Sequence, residues 1–440
     1  MIKRGQLASA LAGRRSISKS RPLEAGGKPT ATGIRLVYIT TAACSATFLK
    51  GQLAYMRRRG FEVVLISAPS DRKFGIDEHH LLREREQIIT LAIPLEREIS
   101  LLKDLVSLVR LYRVFRRFRP VIVNAGTPKA GLLGMIAAYA AGVPVRIYTL
   151  HGLRLETTRG LKRCILAVAE RCTSTLAHRV ICVSESLRRL YVTLGLTTEA
   201  KTCVLGEGSA NGVDIDEFTP TPQSCDRTRA LRMRLGIPDG VPVIGFVGRF
   251  TRDKGVLELL DAFEQIRSSF ADARLLMLGD FENGDPIPES YAKEISIHPR
   301  VVRAGWVSDP ASYYPIMDVL AFPSYREGFP NTVLEAAAAG VPTVAFEATG
   351  SVDAVRDGVT GALVPLGDVG AFARALQRYL SDHPLRREHG QAGRERVLRD
   401  FRQEMIWKLL HGEYARLLGS EDRVLSRSLV VSQSNASKME

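Results

Sequence analysis

Short, β-branched, nearly unbroken apolar runs recur along this chain with helical stretches between them, and the alternation restarts once. Ile34–Thr40 and Val63–Ala68 read as strands, with Phe48–Arg59 helical between them, and Val121–Asn124, Val145–Leu150 and Val180–Val183 continue the series. A second series begins at Pro242–Val247 and continues through Arg274–Leu278, Val319–Phe322 and Val341–Phe346. Runs without an apolar/polar alternation belong to strands covered on both faces, which is the situation of a parallel sheet with helices on each side. Two such series predict an α/β chain of two doubly wound domains, joined near Phe218–Gly240. The 440 residues suffice for two domains of about 150–200 residues each. The expected boundaries are 34–218 and 219–400, followed by a C-terminal helix over 401–419. Residues 1–33 and 420–440 read as a disordered basic extension and a disordered tail.

In doubly wound sheets the ligand lies beyond the carboxyl ends of the strands, and polar residues stand at those ends. His151 follows one strand, and Gly248-Arg249-Phe-Thr-Arg-Asp-Lys254-Gly255 follows the first strand of the second series. Arg249 and Lys254 are separated by a short turn, so both can reach one diphosphate, although the same turn also reads as a solvated basic loop. The segment Glu327-Gly-Phe-Pro-Asn-Thr-Val-Leu-Glu335 puts one carboxylate on a loop and another in a helix. Pro330 suits that helix's first turn, Asn331 its cap and Gly340 its stop. The segment reads either as a capped helix with two surface glutamates or as a site for a ligand carrying hydroxyls and phosphates, with the helix end favouring anions. Thr127-Pro128-Lys129 opens another helix, either as an ordinary start or as a holder of a second phosphate group.

The net charge of +14 is uneven: residues 1–200 carry 33 Lys and Arg against 14 Asp and Glu, or +19, leaving −5 for the rest. A basic N-terminal half implies an anionic partner. Leu101–Arg119 has helical period, with Leu101, Leu105, Leu108, Tyr112 and Phe115 on one face and Lys103, Arg110, Arg113, Arg116 and Arg117 on another. Such a helix suits an anionic membrane surface through its charges, or is a crossover helix with solvated arginines. The longest uncharged run, Ala130–Val145, has 16 residues, below the roughly 18–20 needed to span a bilayer. The six cysteines show no C-x-x-C spacing and no His cluster accompanies them, which argues for free thiols rather than a metal site. Asp214-Ile-Asp216 has D-x-D spacing but sits at the expected domain join. Trp306 reads either as cover for a base or as a core residue.

Arg249, Lys254 and the Glu327/Glu335 pair resemble the donor-site signature of retaining glycosyltransferases of family 4, which have the two-domain GT-B fold. The resemblance extends over about Ile34–Leu418 and includes Pro94-Leu-Glu-Arg-Glu-Ile-Ser100, His151-Gly152, Val183-Ser-Glu-Ser186, Asn211-Gly-Val-Asp214 and Tyr325-Arg-Glu-Gly-Phe-Pro330. This set is similar to the bacterial subgroup that elongates lipid-linked oligosaccharides for capsule, O-antigen or N-glycan assembly. It implies two Rossmann-like domains facing a cleft, an N-terminal one for the acceptor and a C-terminal one for a nucleotide-sugar. Arg249 and Lys254 would bind the donor diphosphate, Glu335 the ribose hydroxyls and Glu327 the transferred sugar, with His151 near that sugar's C6 hydroxyl. Thr127 and Lys129 would hold the acceptor diphosphate.

The resemblance further implies a UDP-sugar donor (an N-acetylhexosamine or hexose), no metal or other cofactor, and a polyprenyl-diphosphate-linked acceptor. The enzyme would work in the cytoplasm, peripherally on the inner face of the membrane. A soluble or different lipid acceptor is the alternative. A nucleic-acid-binding role fits the basic half but has no recognisable motif and leaves the donor signature unexplained. The sequence departs from the family in Thr40-Thr-Ala-Ala-Cys-Ser-Ala-Thr47, which lacks a Gly-rich pair, and in Asn124-Ala125, where a histidine often stands.

Overall fold

A computed structural model of the chain describes residues 33–436 apart from 44, 46–48, 71–76, 97–99, 220 and 283, with side chains up to residue 419. The extension expected over 1–33 therefore lies outside the described residues except for Gly33, and so does Cys44; the other five cysteines are free thiols.

The N-terminal domain alternates β1 (Ile34–Ile39), α1 (Gln52–Arg58), β2 (Phe61–Ser67), α2 (Glu78–Glu86), β3 (Ile89–Ala92), α3 (Leu101–Phe118) and β4 (Ile122–Gly126). It continues through α4 (Pro128–Ala140), β5 (Val145–Leu150), α5 (Gly160–Leu176), β6 (Arg179–Cys182), α6 (Glu185–Thr193) and β7 (Thr202–Val204). All pairings are parallel, in the order β3-β2-β1-β4-β5-β6-β7, with Val37 registered between Val64 and Val123. The order reverses between β1 and β4, so the chain leaves those two strands in opposite directions and opens a crevice at their carboxyl ends.

The second domain follows α7 (Pro222–Arg234), with β8 (Val243–Val247), α8 (Val256–Arg267), β9 (Arg274–Leu278), α9 (Glu289–Ile297), β10 (Val301–Gly305) and β11 (Val319–Phe322). Then come α10 (Asn331–Ala338), β12 (Thr343–Phe346), α11 (Ser351–Ala354), β13 (Gly361–Val364), α12 (Val369–Ser381), α13 (His383–Asp400) and α14 (Gln403–Ala436). This sheet is also parallel, β10-β9-β8-β11-β12-β13, with its reversal between β8 and β11. The α/β architecture of two Rossmann-like sheets is as the sequence predicts.

The chain returns to the first domain at its end. Phe401–Gln403 pairs with Val213, and α14 buries Trp407, Leu410, Tyr414 and Leu417 against Leu36, Tyr38 and Leu53. Asn211 Oδ1 accepts from Trp407 Nε1 at 2.6 Å, and Asn211 Nδ2 donates to Lys50 O at 3.0 Å. Gly212 lies so close to this crossover that a Cβ there would sit 2.5 Å from Phe401 O. The Asn-Gly-Val-Asp stretch is thus the seat of the returning chain, and Asp214 Oδ1 accepts from Asp216 N at 3.3 Å in an exposed local turn.

Three local expectations need correction. Helix α14 runs to Ala436, past the expected end at Gly419, because no Gly or Pro follows to stop it. In α3 the buried side chains are Ser107, Leu111 and Phe115, with Leu108 half-buried, whereas Leu101, Leu105 and Tyr112 face outward. The Ser107 hydroxyl bonds Pro94 O from the buried side of the helix, which it shares with Leu111 and Phe115. Helix α10 begins at Asn331, with Pro330 in extended backbone (φ −77°, ψ 106°) as its cap residue, so Asn331 is inside the helix and caps nothing.

Candidate active site

The two switch points meet across a cavity of about 300 Å³, entered by Thr40 and Thr127 from one domain and by Gly248 and Phe322 from the other. His151, Lys254 and Glu327, which the sequence placed at three separate strand ends, line this one cavity. Chain geometry explains the convergence. Gly255 has φ +68° and lies where a Cβ would be 2.0 Å from Pro323 O, so the turn after β8 folds directly onto the turn after β11. Lys254 is thereby delivered to Glu327: its ammonium pairs with Glu327 Oε1, which also accepts from Ser324 Oγ at 2.7 Å. Both charged side chains are largely buried, at 19% and 13% exposure, so each depends on the other for compensation.

His151 crosses from the N-terminal domain. Its ring lies over Gly126, where a Cβ would fall 2.7 Å from His151 Nε2, and its carbonyl faces Gly328 of the other domain. Enclosure by the cleft walls pulls the imidazole down to about 4, so the ring is neutral at physiological pH and offers a hydrogen bond without charge. Because the unfolded histidine holds its proton up to about 6.5, it binds more protons than the folded one between about 4 and 6.5. The His151 contribution to stability therefore falls as pH drops through that window and is complete above it.

The remaining predicted residues are placed differently. Arg249 pairs with Glu282 and approaches Asp253 at 3.7 Å; it follows the lining residue Gly248 but, like Glu335, is outside the cavity lining. Glu335, one turn into α10, accepts from Tyr314 OH at 2.7 Å. Burial raises its carboxyl above the ordinary range; the Tyr314 bond opposes that shift and the Glu217 charge adds to it. Thr127 lines the cavity, but its hydroxyl does not cap α4. It lies 2.6 Å from Thr41 Oγ1 and accepts from Thr41 N at 3.2 Å. Thr127 has φ +70°, an unfavourable conformation for a β-branched residue, held by this pairing and by Pro128. Lys129 is outside the cavity lining: its ammonium forms two bonds to Asp104 carboxylate oxygens, 2.8 and 2.9 Å, and ties α4 to α3.

Several contributors were not visible as such in the sequence. Asn331 lines the cavity with Oδ1 buried and without a hydrogen-bond partner, an acceptor aimed where a donor is missing. The floor holds a chain of polar groups, in which Tyr414 OH donates to Tyr38 OH (2.8 Å), Asn124 Nδ2 to Tyr414 OH (2.8 Å) and Thr149 Oγ1 to Asn124 Oδ1 (2.8 Å). The only sequence signal was Asn124 itself, standing where a histidine is common. The domains are clasped beside the cavity: Ser186 N and Oγ donate to Asp353, Gly350 N donates to Ser186 Oγ at 2.8 Å, and Arg326 spans Thr157 and Asp253. The Val-Ser-Glu-Ser motif is the N-terminal half of that clasp. Among the described residues there is no cluster of three or more His, Cys, Asp or Glu side chains placed to hold a metal ion.

Comparison with known proteins assigns this arrangement. Residues 45–208 match the family model "Glycosyl transferase 4-like domain" and residues 241–382 match "Glycosyl transferases group 1". Over 87% of this chain and 97% of the relative, the sequence is 37% identical to the capsular polysaccharide biosynthesis glycosyltransferase CapM of Staphylococcus aureus. The chain belongs to the family 4 glycosyltransferases. A second relative, 29% identical over 66% of this chain and 74% of its own length, is the UDP-Gal:alpha-D-GlcNAc-diphosphoundecaprenol alpha-1,3-galactosyltransferase of Escherichia coli. The fold of Anabaena HepE, solved with UDP and glucose, superposes with a TM-score of 0.71 at 20% identity, covering 87% of this chain and all of that one. The glycosyltransferase thus has the GT-B fold, with its cavity between the two Rossmann-like domains.

For this glycosyltransferase, His151→Ala is expected to lower turnover about tenfold or more while changing donor affinity little, the loss of one hydrogen bond in the reacting complex. With the wild type, the rate should show no limb near pH 6.5, because the ring is already neutral there. A His151→Ala rate equal to wild type in steady-state assays would remove His151 from the site.

Proposed function

We propose that the protein transfers a sugar from a UDP-sugar to a polyprenyl-diphosphate-linked saccharide, with retention of anomeric configuration and without a metal ion, in cell-surface polysaccharide synthesis. The observation that carries the reading is the convergence of Lys254, Glu327 and His151 on one interdomain cavity; Arg249 and Glu335 are outside its lining, Arg249 next in sequence to the lining residue Gly248 and Glu335 one turn along α10 from the lining residue Asn331. The relatives named for a capsule enzyme and for a diphosphoundecaprenol-linked acceptor, together with a UDP complex of the same fold, support the choice of donor and acceptor.

In this reading Arg249 and Lys254 neutralise the diphosphate, and the amino end of α10 adds backbone N–H groups that have no partner within the helix. Glu335 accepts from the ribose hydroxyls, Glu327 and Asn331 from hydroxyls of the sugar, and neutral His151 meets the C6 hydroxyl. Asn331 Oδ1 lacks the kind of donor that a sugar hydroxyl supplies. The bond from the anomeric carbon to the diphosphate oxygen breaks as the acceptor oxygen bonds to the same carbon from the same face. The acceptor proton passes to the departing diphosphate, whose charge the two cations stabilise as it develops. Thr127 and Thr41 hydroxyls stand on the acceptor side, whereas Lys129 is committed to Asp104. The enzyme would act peripherally at the inner face of the cell membrane; among the described residues no helix is long and apolar enough to cross one.

The test is a screen of UDP- and GDP-sugars against defined polyprenyl-linked saccharides in EDTA, with the anomeric configuration of the product read by NMR. An inverted product, a GDP-sugar preference or loss of activity in EDTA would each overturn the corresponding part. Glu335→Ala is expected to weaken UDP binding about 10- to 100-fold by calorimetry, the magnitude of charge-assisted hydrogen bonds to the ribose. Glu335→Gln keeps a partner for Tyr314 OH, so a defect shared by both variants reports ligand contact rather than a stranded tyrosine.

A further inference from the structure

Helices α3, α4 and α5 connect strands that run parallel, so they lie side by side on one face of the N-terminal sheet with their amino ends at its carboxyl edge. Helix α4 is the middle one and is mostly buried, with Leu132 and Ile136 half-covered. The helices on either side expose their apolar residues instead of burying them. On the first half of α3, Leu101 is 82% exposed and Leu102 80%, followed by exposed Leu105, Val106 and Val109; on the first half of α5, Leu161 is 77% exposed and Val168 70%, with Ile165 between them. Large apolar side chains this open, grouped on the two helices that flank α4, exceed the scattered surface leucines of ordinary proteins. Cations flank them: Arg110 and Arg113 on α3, and Arg159 and Lys162 at the start of α5, are all exposed. The exposed residues occupy the amino ends of the helices, and Thr127 at the amino end of α4, between them, lines the cavity.

We infer that the amino-terminal halves of α3 and α5 form one bilayer-docking surface, inserting their leucines, isoleucine and valines among the acyl chains of an anionic membrane while the arginines and lysine meet the headgroups. Apolar residues rimmed by cations match such an interface, which is apolar below and negatively charged above. A protein partner of comparable apolarity would not call for the cationic rim. The inference rests on the reading of a lipid-linked acceptor and deepens it: docking by this face brings the acceptor side of the cavity to the headgroup level, where a diphosphate carried by a membrane-embedded chain emerges. It also revises the sequence-based picture, in which only the charges of α3 were spare and α5 had no part.

The experiment compares the full-length protein with Leu102→Glu/Val106→Glu on α3, Leu161→Glu/Val168→Glu on α5, and their combination, after checking that melting temperatures are retained. Flotation with vesicles of phosphatidylglycerol and phosphatidylethanolamine should show at least a tenfold fall in partitioning for each pair and a larger one for the combination, with wild-type binding weakened by salt and by replacing phosphatidylglycerol with phosphatidylcholine. Turnover of a long-chain acceptor in those vesicles should fall at least tenfold, while a short-chain water-soluble acceptor is used at the wild-type rate within about twofold. Unchanged flotation of the combined variant overturns the inference, and a shift from dimer to monomer with unchanged flotation would give the face to a second copy of the chain. If flotation falls as expected but neither acceptor is ever used, the docking surface stands and the lipid-linked acceptor is wrong.

Discussion

Lys254→Ala is expected to lower kcat/KM for the UDP-sugar about 100- to 1000-fold, the loss seen when one preorganised donor to a developing negative charge is removed. Two effects add. The diphosphate loses a charge-assisted contact in the bound state and a stronger one as the leaving group gains charge, so both donor affinity and kcat should fall. In addition, Glu327, only 13% exposed, loses its ion-pair partner and is left with the Ser324 bond and the charge of Arg249, which does not bond it. The second effect can be separated from the first. In Lys254→Ala/Glu327→Gln the stranded carboxylate is gone, so the melting temperature should recover toward wild type while kcat/KM does not. Lys254→Arg keeps the charge but presents a longer planar fork at a turn whose path is fixed by Gly255, and a partial rescue is expected. UDP affinity within about threefold of wild type for Lys254→Ala, measured by calorimetry, would sink the assignment of Lys254 to the diphosphate.

What the sequence made legible follows from burial. The strands recognised in advance are all internal ones of their sheets, covered on both faces and therefore written as continuous apolar runs. The four that were not recognised, β3, β7, β10 and β13, are all sheet edges. Two of them, Ile89–Ala92 and Thr202–Val204, are only 4 and 3 residues long, and Val301–Gly305 carries an arginine and ends in a bulge. An edge strand needs fewer apolar residues because one side is open, and that removes the signal. In α3 the expected face was only partly right: Phe115 is buried and Leu108 half-buried, but Leu111 and Ser107, which bonds Pro94 O, take the inward positions expected of Leu105 and Tyr112.

The site divides similarly. His151, Lys254 and Glu327, chosen from the sequence by their position relative to strand ends, line one cavity because the doubly wound topology brings strand ends together. Roles that depend on partners distant in sequence have no such signal. Lys129 looks like a phosphate-binding cation beside a helix start, until Asp104, 25 residues earlier, takes it. Tyr414 bonds the lining residues Asn124 and Tyr38 only because the chain returns to the first domain 290 residues after Asn124. The clasp of Ser186 with Asp353 likewise joins residues of different domains, and no local pattern signals it.

Gly328→Ala is expected to reduce kcat/KM about 100-fold with little loss of thermal stability, because it acts on the closure of the cleft rather than on either core. A Cβ at Gly328 would lie 2.0 Å from His151 O and 3.0 Å from Val183 Cγ2, both on the opposite domain. Those neighbours are a strand-end backbone and a buried side chain, which cannot swing aside, so the loop and the strand end must separate by about 1 Å or more to reach ordinary contact. A displacement of that size between reacting groups is enough to cost about 100-fold in rate. The clasp limits how the domains can accommodate it: Gly350 N is bonded to Ser186 Oγ, and a Cβ at Gly350 would itself be 2.5 Å from Gly328 O. His151, Gly328 and Gly350 are stacked backbone on backbone, and the strain passes to His151 and Glu327, which flank the sugar in the proposed reading. Donor affinity, which in the proposed reading depends on Arg249, Lys254 and Glu335 within one domain, should therefore change less than kcat, the reverse of the balance expected for Glu335→Ala. A Gly328→Ala enzyme with wild-type kcat would mean that the productive state is more open than the contact between His151 and Gly328 allows.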